Sequence, residues 1–234
     1  MPENRIKNVM IGTPCLDGRM DALYTYSLIE SMKLCSGYNI SLFPVFITRE
    51  SLIQRARNDL LFYAHRSDIS DIIFIDSDQY WKPEYLVQLL NHNEDIVGGT
   101  YRKKSHDTEE YVLKALPGSD NQIDENGLLE VSGLGTGFLK MSKKSIDLFW
   151  ENKDILEYKG DDGEMRKMIF NTAISNIGDF MGEDIYMCEL YRKLGGKVFL
   201  DTNITIGHIG TSNFNGSFKD WALKNNLIKI KPSV

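Results

Sequence analysis

The chain has 234 residues, 42% apolar and 26% charged, the balance of a water-soluble globular protein able to bury a sizeable core. Its 27 Lys and Arg against 33 Asp and Glu leave a net charge of −6, which gives no general pull toward phosphate backbones or anionic lipid. That weighs against a nucleic-acid partner, although a local basic groove can sit inside a net-negative protein.

Cys15, Cys35 and Cys188 are widely spaced and form no zinc-like or redox pair, so a reduced compartment, the cytoplasm, is expected. The start, Met1-Pro2-Glu3-Asn4-Arg5, is polar and lacks a signal-peptide apolar stretch. No apolar run approaches the ~20 residues of a membrane span, so the expectation is a soluble protein, at most peripheral at a membrane.

Val9-Met10-Ile11 reads as a buried strand closed by Gly12-Thr13-Pro14. A helix is predicted from about Asp21 to Cys35, with Leu23, Tyr24, Leu28 and Met32 on its apolar face, then a strand from Leu42 to Ile47. Ser51, with Gln54 three residues on, has the capping-box signature and opens a helix carrying Leu52, Ile53, Ala56, Leu60 and Leu61. Ile72-Ile73-Phe74-Ile75 is the strongest strand, four β-favouring residues suited to burial on both faces. Lys82 to Asn91 reads as a helix and Asp95 to Gly99 as a strand. This alternation predicts a doubly wound α/β half, whose ligand sits beyond the carboxyl ends of the strands.

From Tyr101 to about Gly127 the chain is charged and broken by Gly and Pro, a long excursion rather than core. Strands are predicted at Leu128–Val131 and Gly137–Met141, a helix from Lys143 to Trp150, a polar loop through Asp161-Asp162-Gly163, a helix from Glu183 to Leu194, and two strands, Lys197–Leu200 and Ile204–Ile206. The chain reads as one domain over 1–234, a nucleotide half to about residue 100 and an acceptor half after it.

Phe74-Ile75-Asp76-Ser77-Asp78 carries the clearest chemistry. A buried strand delivers two carboxylates at a spacing of two, which points both side chains the same way on an extended segment. Two such carboxylates repel, and Mn²⁺ or Mg²⁺ between them and a diphosphate removes the repulsion. His208, in Ile206-Gly207-His208-Ile209-Gly210, follows the last strand and is a further candidate ligand, best suited to manganese. Met181-Gly182-Glu183-Asp184 opens a helix, where the dipole favours carboxylates and where one of them can serve as general base. Taken singly, these features have plainer readings: solvated turn Asp residues, a packed loop His and a helix cap.

The order T-P at the first strand, A-R-N on the second helix, hydrophobic-D-S-D, G-x-G-T-G, G-E-D and H-I-G resembles the GT-A glycosyltransferases, and within them the family 2-like enzymes of bacteria and large DNA viruses. The resemblance spans Val9 to Gly210. It implies a Rossmann-like α/β fold with a mainly parallel, mixed central sheet. It further implies a metal-dependent, inverting hexosyl or pentosyl transfer from a nucleotide-sugar, with UDP as carrier, to a hydroxyl of a saccharide or other acceptor. It points to Thr13, Pro14, Arg57, Asp76 and Ser77 at the nucleotide, with Arg55 as the fallback for Arg57. It points to Asp76, Asp78 and His208 at the metal, to Gly135, Thr136 and Glu183 at the sugar and acceptor, and to Asp184 as base.

Two segments depart from the family pattern. Tyr101-Arg102-Lys103-Lys104 is unusually basic; it reads either as a solvated run or as a contact to phosphate or an anionic acceptor through Arg102. The segment Thr211 to Phe218 has the Gly and aromatic content of a lid over the donor, and equally of a surface wrap.

Three rival readings remain. A haloacid-dehalogenase-like phosphatase also places D-x-D after an apolar strand, and Gly178-Asp179 with Asp184 imitates its acidic motif, but some seventy residues precede the pair here and Tyr80 replaces the usual Thr. A nucleotidyltransferase making a nucleotide-sugar needs a Gly-rich basic loop after the first strand, which Cys15-Leu16-Asp17-Gly18-Arg19 matches poorly. A non-enzymatic binding module leaves Glu183, Asp184 and His208 without a role.

Overall fold

The computed structural model describes residues 6–175, 177–210 and 212–231. Strand β1 (Lys7–Cys15), helix α1 (Ala22–Ser36), β2 (Ile40–Thr48), α2 (Ile53–Arg66) and β3 (Asp71–Ile75) are followed by short β4 (Gln79–Tyr80), α3 (Glu84–Asn91) and β5 (Ile96–Tyr101). Then come β6 (Leu113–Ala115), β7 (Gln122–Ile123), β8 (Leu128–Leu134), β9 (Phe138–Ser142) and α4 (Lys143–Glu151). Two hairpins pair β10 (Glu157–Lys159) with β11 (Met165–Lys167) and β12 (Ala173–Ile174) with β13 (Phe180–Met181). Helix α5 (Glu183–Lys193), β14 (Val198–Ile209), β15 (Asn213–Phe214), α6 (Phe218–Lys224) and β16 (Lys229–Ile230) follow.

The central sheet has the order β2-β1-β3-β9-β5-β14-β8-β6. The pairings run β2, β1, β3, β5, β14 and β6 in one direction and β9 and β8 against it, the mainly parallel mixed α/β sheet that was expected. Side chains alternate across β3: Ile72 and Phe74 join the core under α2, α4, α5 and α6, while Ile73 and Ile75 join the core under α1 and α3. The run of four β-favouring residues is therefore buried on both faces.

Several expectations shift by a turn or a strand. β1 does not close at Gly12; its parallel pairing continues to Cys15 opposite Thr48, so Thr13 and Pro14 lie inside the strand. β5 likewise passes Gly98 and ends at Tyr101. Gly98 is required there because a Cβ would stand 2.5 Å from the Phe138 carbonyl oxygen of the neighbouring strand. The capping box at Ser51 does not form: α2 begins at Ile53, its cap position Leu52 offers no side-chain bond, and the Glu50 carboxylate accepts from the Leu52 N–H instead (2.8 Å). In α1, Leu23 and Met32 are exposed and the buried face includes Ser27 and Ser31, which accept hydrogen bonds from the backbone N–H and indole Nε1–H of Trp81 (3.1 and 2.9 Å). The excursion after Tyr101 is not all surface, since Tyr111 and Ile123 enter the core and β6 extends the sheet. The last two predicted strands are one strand, β14, with an irregularity between Leu200 and Thr205.

Among the described residues no helix is long and apolar enough to cross a membrane. All three cysteines are buried and free.

Candidate active site

The carboxyl end of β3 carries Asp76, and the chain turns there under tight backbone control: Asp76 N–H donates to the Gly137 carbonyl (3.1 Å) and Gln79 N–H to the Asp76 carbonyl (3.1 Å). Helix α2 approaches from one side through Arg57, which is 4% exposed. Its Nη2 donates to Asp76 Oδ1 (3.0 Å) and Oδ2 (3.3 Å), and its Nη1 donates to Glu183 Oε1 at the start of α5. Burial opposes the charge of Arg57, but Asp76 and Glu183 outweigh it and hold the guanidinium firmly protonated.

Asn58, the next residue, fixes this geometry. Its Nδ2 donates to the Phe170 carbonyl (2.9 Å) and its Oδ1 accepts from the N–H groups of Ile169 (3.1 Å) and Phe170 (2.8 Å). Phe170 in turn lies against the guanidinium, 5.9 Å from ring centre to Arg57 Cζ. The A-R-N segment thus serves the site twice, through a charge and through an amide clamp that sequence reasoning left without a role. Arg55, the fallback, faces elsewhere: it pairs with Glu50 and lines a separate cavity of about 470 Å³ that includes Thr48, Asp59 and Tyr158 but none of Asp76, Asp78, Asp184 or His208.

Asp78 and His208 meet across a short antiparallel ladder, β4 on β14, in which His208 pairs with Gln79 and the Ile209 N–H donates to the Asp78 carbonyl (2.8 Å). His208 Nδ1 lies 2.8 Å from the Arg102 carbonyl oxygen, a contact that requires Nδ1–H and turns Nε2 toward Asp78 Oδ2, 3.7 Å away. The Lys104 ammonium sits on the same carboxylate oxygen. Burial pushes the Asp78 carboxyl up, but hydrogen bonds and charge from His208 and Lys104 outweigh it and leave the group below the ordinary carboxylate value. Asp184 goes the other way: burial first, and then the neighbouring Glu183, raise it above the ordinary 3.8. Its Oδ1 accepts from the Ile185 N–H (2.7 Å).

The Gly135-Thr136-Gly137 turn is buried between β8 and β9. A Cβ on Gly137 would stand 2.2 Å from Gln79 Nε2, and one on Gly135 2.8 Å from the Tyr101 hydroxyl, so both glycines permit close approach to the D-x-D edge. Among the described residues, the buried side-chain atoms without a partner are Arg57 Nε, both amide atoms of Gln79, Arg102 Nε and Thr136 Oγ1, on or beside this cluster, and Tyr158 Oη at the separate cavity lined by Arg55. Orphaned buried polar groups concentrated in one place mark a site rather than a core.

Other expected residues fall at greater remove. Thr13 is fully buried with its hydroxyl 2.5 Å from that of Tyr24, and Pro14 is buried beside it. Ser77 bonds toward Cys15. The Arg102 side chain is turned back onto its own loop, donating to the Ser105 carbonyl (3.2 Å), while its backbone serves His208. Asp179 is exposed on the hairpin that joins β12 to β13, its N–H bonded to Ser175 Oγ (3.0 Å). Thr211 lies outside the described residues; in the rest of the segment read as a lid or a surface wrap, Phe214 pairs with His208, Tyr80 Oη donates to Asn215 Oδ1 (2.8 Å), and Phe218 enters the core.

The expected three-residue metal set does not assemble. Asp76 is engaged by Arg57, and among the described residues no group of three or more His, Cys, Asp or Glu side chains could hold an ion. What remains is one carboxylate oxygen, which also carries the Lys104 ammonium, and one imidazole nitrogen turned toward it; a cation there would need further oxygens from a ligand.

No protein-family model matches the chain, and no curated protein matches it. Its fold is similar to that of the crystal structure of A197 from STIV, at a TM-score of 0.53 and 16% identity over 87% of this chain and 86% of that one. Weaker likenesses are to GalNAc-T7 with UDP, GalNAc and Mn²⁺ (TM-score 0.48, 12% identity, 89% of this chain) and to S. aureus TarS 1–349 with UDP-GlcNAc (TM-score 0.41, 13% identity, 97% of this chain). The chain spans 44% of the former's length and 59% of the latter's. At these identities the A197 likeness speaks for the fold alone.

Two outcomes follow from the geometry. Arg57→Met leaves Asp76 and Glu183 facing one another unpaired and should cost about 3 kcal/mol in urea unfolding, as for a broken buried ion pair; a midpoint like the wild type's would show that the bridge carries no stability. Because Asp184 is raised in the folded state, its ionised form costs stability above the ordinary carboxylate value, and the cost fades as pH falls toward 3.8. Asp184→Asn should therefore melt higher than wild type at neutral pH, with the margin closing in acid. A margin independent of pH would refute the assignment.

Proposed function

We propose that the chain is a GT-A glycosyltransferase that moves a sugar from a nucleotide diphosphate carrier to a hydroxyl acceptor. The observation that carries this reading is the Arg57 bridge, which ties the D-x-D end of β3 to the carboxylates that open α5. It brings the edge suited to a diphosphate and a protonatable base, Asp184, into one site built from segments 126 residues apart. The strand order agrees with the fold that the motif order implies.

In this reading Asp78 and His208 Nε2 would hold Mn²⁺ or Mg²⁺, which would supply Lewis-acid neutralisation of the leaving diphosphate. Asp76, held by Arg57 through both carboxylate oxygens, takes the ribose, with Ser77 and the buried Thr13–Pro14 stretch of β1 beneath the nucleotide. The Gly135–Gly137 turn lets the donor sugar approach backbone, with Glu183 and Thr136 beside it. Asp184, raised by burial, takes the acceptor proton as the hydroxyl attacks the anomeric carbon from the face opposite the diphosphate, with inversion. Environments that push Asp78 down and Asp184 up divide two carboxylates between a charged role and a proton-accepting one.

Titration with UDP, GDP, CDP and TDP, with and without manganese, tests the donor site. One diphosphate at about a hundred times its dissociation constant should stabilise the protein by about 2.7 kcal/mol in a manganese-dependent way, and Asp78→Ala should abolish the effect. No thermal shift with any nucleotide in either condition sinks the reading. With the donor identified, Asp184→Asn should lose about two to four orders of magnitude in turnover and keep its donor affinity; near-wild-type turnover removes Asp184 from the mechanism.

A further inference from the structure

The basic run Arg102-Lys103-Lys104 divides its charges once folded. Lys103 is engaged by Glu110 across the loop (2.8 Å), and the Arg102 guanidinium donates to loop carbonyls. Lys104 alone turns to the D-x-D edge and places its ammonium on Asp78 Oδ2. Its stem passes over Gly210, where a Cβ would stand 3.1 Å from Lys104 Cδ. The same loop aims the imidazole, because the Arg102 carbonyl accepts from His208 Nδ1. One carboxylate oxygen therefore faces both an ammonium and the imidazole nitrogen best placed for a cation.

The two carboxylates of the pair are neutralised in different ways. Asp76 is bound by a buried, planar guanidinium that a second carboxylate and the Phe170 ring hold in place. Asp78 is bound by a point charge on a flexible stem, with both groups more than a third exposed. The backbone beneath Lys104 is anchored, by the Arg102–Tyr111 bridge and by the Lys103 N–H to Glu110 carbonyl bond (2.8 Å), so the ammonium can move without the loop unfolding.

We propose that Lys104 is an exchangeable counter-ion: it neutralises Asp78 in the free protein and transfers to the donor's diphosphate when a divalent cation takes Asp78. This deepens the donor-site reading and rests on it. An ammonium on Asp78 Oδ2 and a divalent cation on the same carboxylate repel one another, so each weakens the binding of the other. A displaced ammonium has no acceptor of its own and finds the densest negative charge on phosphate oxygens. Arg57, fixed on both sides, cannot exchange in this way. Lys104 is thus a positioning residue that sets metal affinity and diphosphate affinity in opposite directions.

The test is a manganese titration without nucleotide, reading free Mn²⁺ by its EPR signal, on wild type, Lys104→Met and Lys104→Arg. UDP binding at saturating manganese is then measured on the same proteins, with circular dichroism to verify the fold. Lys104→Met should bind manganese about five-fold more tightly, the scale of an exposed ion pair, and UDP several-fold more weakly, while Lys104→Arg stays near wild type. Manganese affinity that is unchanged or weaker in Lys104→Met overturns the proposal, as does absence of manganese binding in all three proteins, or UDP affinity that Lys104→Met leaves unaltered. A wild type that binds manganese but no nucleoside diphosphate sinks the donor-site reading and the transfer with it, while the manganese contrast still decides whether Lys104 competes for Asp78.

Discussion

The site depends on one buried guanidinium. Arg57 reaches from α2 to the end of β3 and the start of α5, and its two carboxylate partners lie 19 and 126 residues away in sequence. A charge at that depth is tolerable only when it is paired, and here Asp76 and Glu183 meet the two terminal nitrogens while Nε has no partner. The cost of leaving either carboxylate or the guanidinium alone is what holds two ends of secondary structure at a fixed separation. Asn58 and Phe170 supply the rigidity behind it: the amide clamp on Ile169 and Phe170 sets the ring against which the guanidinium lies.

Around that fixed point the remaining groups are arranged with different freedom. The turn after Asp76 is tied by backbone bonds to Gly137 and Gln79, and Trp81 just beyond it is tied to Ser27 and Ser31 of α1. Asp78 is less constrained and is reached by side chains from β14 and from the basic loop. Burial and charge move Asp78 and Asp184 in opposite directions, although both are carboxylates at the same edge of one sheet. The edge thus carries one carboxylate held by a buried arginine and one held by a more exposed lysine and a histidine.

Much of this was legible before the fold was known, and the reason is periodicity. Ile72 to Ile75 is a buried strand because four β-favouring residues can face only apolar layers, and both layers are there. Asp76 and Asp78 at its end and the carboxylates opening α5 were readable because a chain leaving a parallel sheet must present its polar residues at that edge, whereas His208, expected past the last strand, lies inside β14. Local signals that competed with pairing were read less well. The Ser51–Gln54 pattern lost to Glu50, which accepts from the N–H of Leu52 at the cap position of α2, and the stops at Gly12 and Gly99 lost to strands that continue past them. Leu23 and Met32 of α1 turn outward, while Ser27 and Ser31 are buried because the backbone and indole of Trp81 give their hydroxyls partners inside.

The sequence by itself determined the alternating strands and helices, the edge on which the carboxylates emerge, and the chemical types present there, because hydrophobic period and residue type are local properties. Only the tertiary structure decided which groups meet. Nothing in the spacing of Arg57, Asp76 and Glu183 says that one guanidinium will bind both acids and so withdraw Asp76 from the metal set. Nothing in a basic loop says that Lys104 will find Asp78 while Lys103 finds Glu110. Those choices rest on the register of β4 against β14 and on the packing of α2 against the sheet, and so on contacts between segments far apart in the chain. Charge partners are selected by distance in space and by the penalty for burial without one, and the order of residues along a chain encodes neither directly.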